Sequence, residues 1–226
     1  CKMVRGFTKR PGLVSVDGGW YGQTGFALGL SQRDDRALYE PLTPECSFIA
    51  FGDLEDAARV IGSQTAAVFI EPIQAENGCR QASREYVAGL ETLCRERGAL
   101  LVIDETQTNF GRTGTRFYFE QLGVSPDILL LGEALGGGMF PIAVTMMTQR
   151  VNRVMSDHPL IHMSTFGGSD LGCCVARKAL EIYEREKPWI KAKETGAALK
   201  KGLEAIAQQS GGAIVSVNGV GMLLAL

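Results

Sequence analysis

Histidine is scarce in this sequence, with only His158 and His162 among 226 residues. The six cysteines (Cys1, Cys46, Cys79, Cys94, Cys173 and Cys174) include no C-x-x-C pair. These shortages leave no ligand set at zinc spacing, so no metal is expected. The thiols read as reduced and mostly buried, as in a cytoplasmic protein. An excess of charge is lacking too: the formal net charge of −2 gives no electrostatic reason to expect nucleic acid or an acidic membrane surface as partner. No apolar run approaches the ~20 residues that span a bilayer. The opening CKMVRGFTKRPG has no apolar core like that of a signal peptide.

What is present is ordinary in bulk and unusual in one residue. Hydrophobic residues make up 45% and charged residues 21%, and 226 residues fit one large domain, or a domain plus a fragment. Glycine, at 28 residues, clusters at Gly18-Gly19, Gly136-Gly137-Gly138, Gly167-Gly168 and Gly211-Gly212. Such clusters suit loops that approach a ligand closely.

Short apolar runs alternate with amphipathic segments. LVSVD (13–17), AAVFIE (66–71), ALLVID (99–104), DILLLG (127–132) and PIAVTMM (141–147) read as strands covered on both faces, because they are nearly continuous in apolar residues. Helices are expected over 53–62, 84–97 and 171–186, and again from Pro188. In the third of these, Leu171, Val175, Ile182 and Tyr183 form the stripe, and after Pro188 Leu199, Leu203 and Ile206 recur at helical spacing. VSVNGVGMLLAL reads as two strands split by a turn at Asn218-Gly219. The alternation predicts an α/β fold, a three-layer αβα sandwich on a mainly parallel sheet, with ligands beyond the carboxyl ends of its strands. CKMVRG reads as the tail of a helix and LLAL stops inside an apolar run, so the fold is expected to continue on both sides, through more polypeptide or a second chain.

Six blocks in order, GWYGQT, FGDL, EPIQAENG, DETQTNFGRTG, PDILLLGEALGGGMFPIA and STFGGSDLGC, make the chain resemble the class III (ornithine-type) aminotransferases, fold-type I enzymes that use pyridoxal phosphate (PLP). The resemblance implies a PLP-transferase-like large domain over 1–215, without its N-terminal phosphate-binding turn, and the start of a truncated small domain over 216–226. It places Asp104 at the pyridine nitrogen, where a carboxylate keeps the ring cationic; the alternative is a strand-end Asp that caps its own turn. Gln107 falls near the ring hydroxyl. Trp20 matches the aromatic stacked on the ring, although a lone Trp is more often core. Thr165 matches a hydroxyl that reaches the cofactor phosphate across a dimer interface, which implies a homodimer. Glu76 matches an acidic position beside the substrate, but Glu76 and Glu71 read equally well as solvated loop carboxylates. Arg112 reads as a structural loop arginine.

One position departs from the pattern. The family carries a lysine, which makes a Schiff base with the cofactor, where this chain has Glu133. A carboxylate cannot condense with an aldehyde, so covalent tether and proton shuttle are lost together. No other lysine is expected at a strand end facing the site; Lys178, Lys187, Lys191, Lys193, Lys200 and Lys201 read as lying on solvated faces of the late helices. Three readings stay open. The first is a pseudoenzyme that does not transaminate alone and acts as a scaffold or subunit. The second is a lysine-independent enzyme holding PLP or pyridoxamine phosphate (PMP) non-covalently, with Glu133 as acid–base. The third is a mutated fragment of an active aminotransferase. The cofactor is accordingly PLP or PMP without a covalent bond, or none.

Overall fold

A computed structural model of the chain describes residues 1–32 and 34–226. Its strands are β1 (Gly12–Val16), β2 (Cys46–Ile49), β3 (Thr65–Ile70), β4 (Ile73–Gln74), β5 (Arg80–Gln81), β6 (Leu100–Asp104), β7 (Ile128–Leu131), β8 (Val144–Met147), β9 (Asn218–Val220) and β10 (Leu223–Ala225). The helices are α1 (Lys2–Thr8), α2 (Gly25–Leu30), α3 (Leu54–Val60), α4 (Arg84–Arg97), α5 (Phe119–Leu122), α6 (Gln149–Asp157), α7 (Asp170–Glu186) and α8 (Pro188–Gln209).

Six strands form one sheet in the order β2-β1-β3-β6-β7-β8. Its pairings are parallel except for β8, which runs antiparallel to β7. Side chains alternate across a strand, so each central strand feeds two cores. Val14, Val68, Ile70, Leu101 and Ile103 pack in one cluster with Tyr86, Val87 and Leu90 of α4. Leu13, Ala67, Phe69, Leu100 and Val102 pack in the other, with Val4 of α1 and Val151 of α6. This is the expected three-layer sandwich, and double coverage explains why β3 and β6 are buried throughout. Local capping agrees with it: the Asp53 carboxylate accepts the Glu55 and Asp56 N–H groups at 2.9 Å to start α3, and Ser83 accepts the Tyr86 N–H at 3.1 Å to start α4.

Several expectations need correction. The run 141–147 becomes a strand only from Val144, and that strand is an edge, with Val144 and Met146 exposed. The edge strand β2 and helices α2 and α6 were not foreseen; α6 is largely polar, with only Val151 and Val154 buried. In α7 the buried residues are Gly172, Ala176 and Ala179, while Leu171 is 64% exposed. Small residues face inward because the helix lies close to the glycine-rich turn: a Cβ on Gly172 would stand 3.0 Å from the Phe140 ring. In α8 the apolar Leu199 and Ile206 are exposed, and Gly196 is buried instead, against the main chain of Gly221. The final hairpin turns at Gly221-Met222, where Gly221 has φ +59°, and Asn218-Gly219 lies within β9. The hairpin docks on the loop after β6 through the Met222 N–H to the Arg112 carbonyl at 2.8 Å. The thiols are all free, but only Cys79 and Cys94 are buried; Cys173 and Cys174 are exposed on α7. Among the described residues no helix is long and apolar enough to cross a membrane.

Candidate active site

The carboxyl ends of four neighbouring strands, β1, β3, β6 and β7, deliver the polar residues. Ile70 lies opposite Ile103 in the β3–β6 pairing, so Glu71 and Asp104 leave adjacent parallel strands at the same level. Asp104 is 7% exposed, and its Oδ1 accepts the Thr106 N–H at 2.9 Å. Burial raises its carboxyl above the usual range, and the hydrogen bonds from Thr106 work against that rise. The turn-capping role of Asp104 is therefore present in the structure.

Glu71 is no solvated loop carboxylate. It is 3% exposed, and its Oε2 accepts the main-chain N–H of Trp20 at 2.7 Å. Burial, with Asp104 and Glu76 adding like charge, pushes its carboxyl up to about 8 against the Trp20 hydrogen bond. Glu76 stays exposed in the loop beyond it.

Glu133 heads the turn after β7 in a left-handed conformation, φ +44°, a backbone state that costs a non-glycine residue of order 1–3 kcal/mol. The flanking carbonyls are fixed from two directions. Asn109 Nδ2 donates to the Gly132 carbonyl at 3.2 Å, and the Tyr183 hydroxyl donates to the Ala134 carbonyl at 2.7 Å. The Glu133 side chain itself is exposed.

A cavity of about 680 Å³ brings together Trp20, Glu76, Gln107 and Glu133, with Arg112 on its wall. Asp104 opens instead into an apolar cavity of about 430 Å³ with Tyr21, Thr145 and His162. Thr165 is exposed in a third hollow, which shares Thr145 and His162 with the second. The expected site residues thus surround one end of the sheet but do not share one enclosure. Arg112 stands in the first cavity rather than serving only its loop.

Other residues of the site went unforeseen. Glu105 is fully buried and accepts from the Thr108 hydroxyl (2.9 Å) and the Tyr118 and Phe119 N–H groups (2.8 and 2.6 Å), so it braces the loop that carries Gln107 and Arg112. Gln74 ties the EPIQAENG loop to the DGGW loop, its Nε2 donating to the Asp17 carbonyl at 2.7 Å. Strand alternation, which turns Glu105 away from Asp104, was the available signal for the first. Nothing local marked the second.

The donors present suit a flat cationic ring: a buried acid at a strand end, an indole on the neighbouring loop and an amide in the Trp20 cavity. They do not suit a covalent tether at Glu133, since no lysine lines the cavity of Trp20, Gln107 and Glu133 among the described residues. The expectation that no other lysine faces the site needs correction for one residue: Lys2 lines the same neighbouring cavity as Asp104, with Nζ 3.3 Å from His162 Nδ1. Among the described residues no group of three or more His, Cys, Asp or Glu could hold a metal ion.

Comparison with known proteins gives the family and the fold. A family model described as aminotransferase class-III matches residues 1–226. An uncharacterized aminotransferase of Archaeoglobus fulgidus is 38% identical over 200 residues, covering 88% of this chain and 47% of the relative. The putrescine aminotransferase of Pectobacterium atrosepticum is 36% identical over 222 residues, covering 95% and 47%. Among solved structures, an ornithine aminotransferase from Toxoplasma gondii, described with partial occupancy of PLP at its active site, superposes with a TM-score of 0.93 at 31% identity, over 99% of this chain and 55% of that one. The chain spans about half the length of these relatives.

Proposed function

The chain belongs to the class-III aminotransferase family, and we propose that it is an aminotransferase-like domain that holds a vitamin B6 ring without a covalent bond and does not transaminate alone. The observation that carries this reading is Glu133, a carboxylate in the cavity of Trp20 and Gln107 at the head of the Gly136–Gly138 turn. When bound, PLP or PMP supplies an electron sink for a substrate carbanion. Asp104 would hold a proton at the ring nitrogen, Trp20 would cover one ring face and Gln107 would donate to the ring hydroxyl, from the two adjoining cavities that these residues line. Glu76 and Arg112 lie on the side where a substrate would enter. The carboxylate at position 133 cannot exchange an amine with the ligand, so the domain binds and presents rather than turns over.

A second reading has one observation in its favour. Glu133 shares its cavity with Trp20 and Gln107, where a carboxylate could move a proton for an amine already carried by the ligand; such transfer is worth ~10²–10⁴-fold. Thr165 lies outside both inner cavities on an exposed loop beside Phe166, itself 84% exposed. That placement supports a homodimer, or a second chain, in which Thr165 serves a neighbouring site.

PMP titration of the full chain tests the proposal, with Trp20 fluorescence isolated in a Trp189→Phe background. Saturable quenching by PMP, with no amino transfer above the protein-free rate, is the expected result. Lysine-like turnover would overturn it, and turnover confined to PMP and lost in Glu133→Gln would move the assignment to the second reading.

A further inference from the structure

Glu71 is a buried acid to which the proposed function gives no task. It follows β3 directly, and its Oε2 reaches 51 residues back to accept the Trp20 N–H at 2.7 Å. Trp20 needs such an anchor. Its loop carries Gly18 at φ +77° on one side and Gly22 at φ +110° on the other, both conformations that glycine adopts without cost. A chain segment hinged at both ends does not place an indole by itself. Neighbouring bonds fix the two flanks: the Gln74 amide to the Asp17 carbonyl at 2.7 Å, and the Tyr21 N–H to Ser31 Oγ at 2.9 Å. Glu71 fixes the tryptophan itself, from the strand adjacent to the one that ends in Asp104.

We propose that Glu71 is a positioning residue: by accepting the Trp20 main-chain N–H it holds the indole in the cavity lined by Gln107 and Glu133 and sets affinity for a flat cationic ring without touching that ring. The inference rests on the reading of Trp20 and Asp104 as the groups that hold the ring. Small displacements of a binding group weaken a preorganised site severely, so the clamp has a measurable effect on binding even though its own contact is remote.

The test uses the full chain in the Trp189→Phe background with Glu71→Gln and Glu71→Leu. Hydrogen exchange at the Trp20 amide and the Kd for PMP are read for each. Glutamine keeps an acceptor oxygen, so its exchange rate and Kd are expected within about threefold of the parent. Leucine removes the acceptor, and both are expected to rise at least about tenfold with an unchanged far-ultraviolet spectrum. A leucine variant that matches the parent, or a glutamine variant that falls as far as leucine, overturns the proposal. Glu71→Ala carries the same test should the leucine variant fail to fold. A parent that binds no PMP sinks the ring-site reading separately, and the exchange rates still decide whether the clamp exists.

Discussion

Replacing Glu71 with glutamine should flatten the dependence of stability on pH. The carboxyl titrates near 4.5 when unfolded and is pushed up to about 8 in the folded chain, chiefly by burial. Below pH 4.5 both states hold the proton and burial adds no pH-dependent cost. Between 4.5 and 8 the unfolded chain releases a proton that the folded chain keeps, so stability falls as pH rises. Above 8 the folded state carries the full penalty of a buried carboxylate. At about 1.4 kcal/mol per pH unit, the interval amounts to a loss on the order of 5 kcal/mol, an upper limit because the adjacent Asp104 shares the effect. Asp104 and Glu105 are also raised by burial and slope the same way, so the difference between parent and variant isolates Glu71. Urea unfolding at five pH values from 5 to 9 measures it. The advantage of Glu71→Gln should grow from pH 5 to about 8 and level off above that; two curves that stay parallel refute the claim that this carboxyl folds in protonated.

Glu133→Lys should acquire visible absorbance with PLP and a borohydride-stable pyridoxyl mass at position 133 if the surrounding ring site is intact; a colourless variant at saturating PLP would show that the site lacks more than its amine. Asp104→Asn should weaken PMP by about ten- to a hundredfold, the worth of ~1.5–3 kcal/mol for a hydrogen bond to a charged group, and equal affinity by titration would remove Asp104 from the ring site. Leu90→Ala, at a position with no exposure in the first core cluster, should cost about 2–5 kcal/mol in denaturant unfolding without altering ligand affinity per folded molecule.

The central strands were legible because a parallel sheet covered on both faces writes itself as unbroken apolar runs, as in TAAVFI and LLVID. Edges carry no such signature. Strand β2 is four residues with only Ile49 buried, and β8 is mostly exposed. The face of α7 was misread because its contact with the glycine-rich turn selects small residues, which a search for large apolar ones passes over. At the site, Asp104 and Trp20 were identifiable through resemblance alone. Their separation into adjoining cavities depends on side-chain directions that no spacing records. Burial of Glu71 was hidden for a similar reason: its hydrogen-bond partner lies 51 residues away, and a glutamate before proline looks like any loop carboxylate.

The absence of a tethering amine is tested most directly by borohydride reduction of the chain after incubation with PLP, followed by peptide mapping. No stoichiometric pyridoxyl adduct is expected on any side chain lining the Trp20 or Asp104 cavities. A stoichiometric adduct on Lys2, the one lysine lining the Asp104 cavity among the described residues, would contradict this expectation.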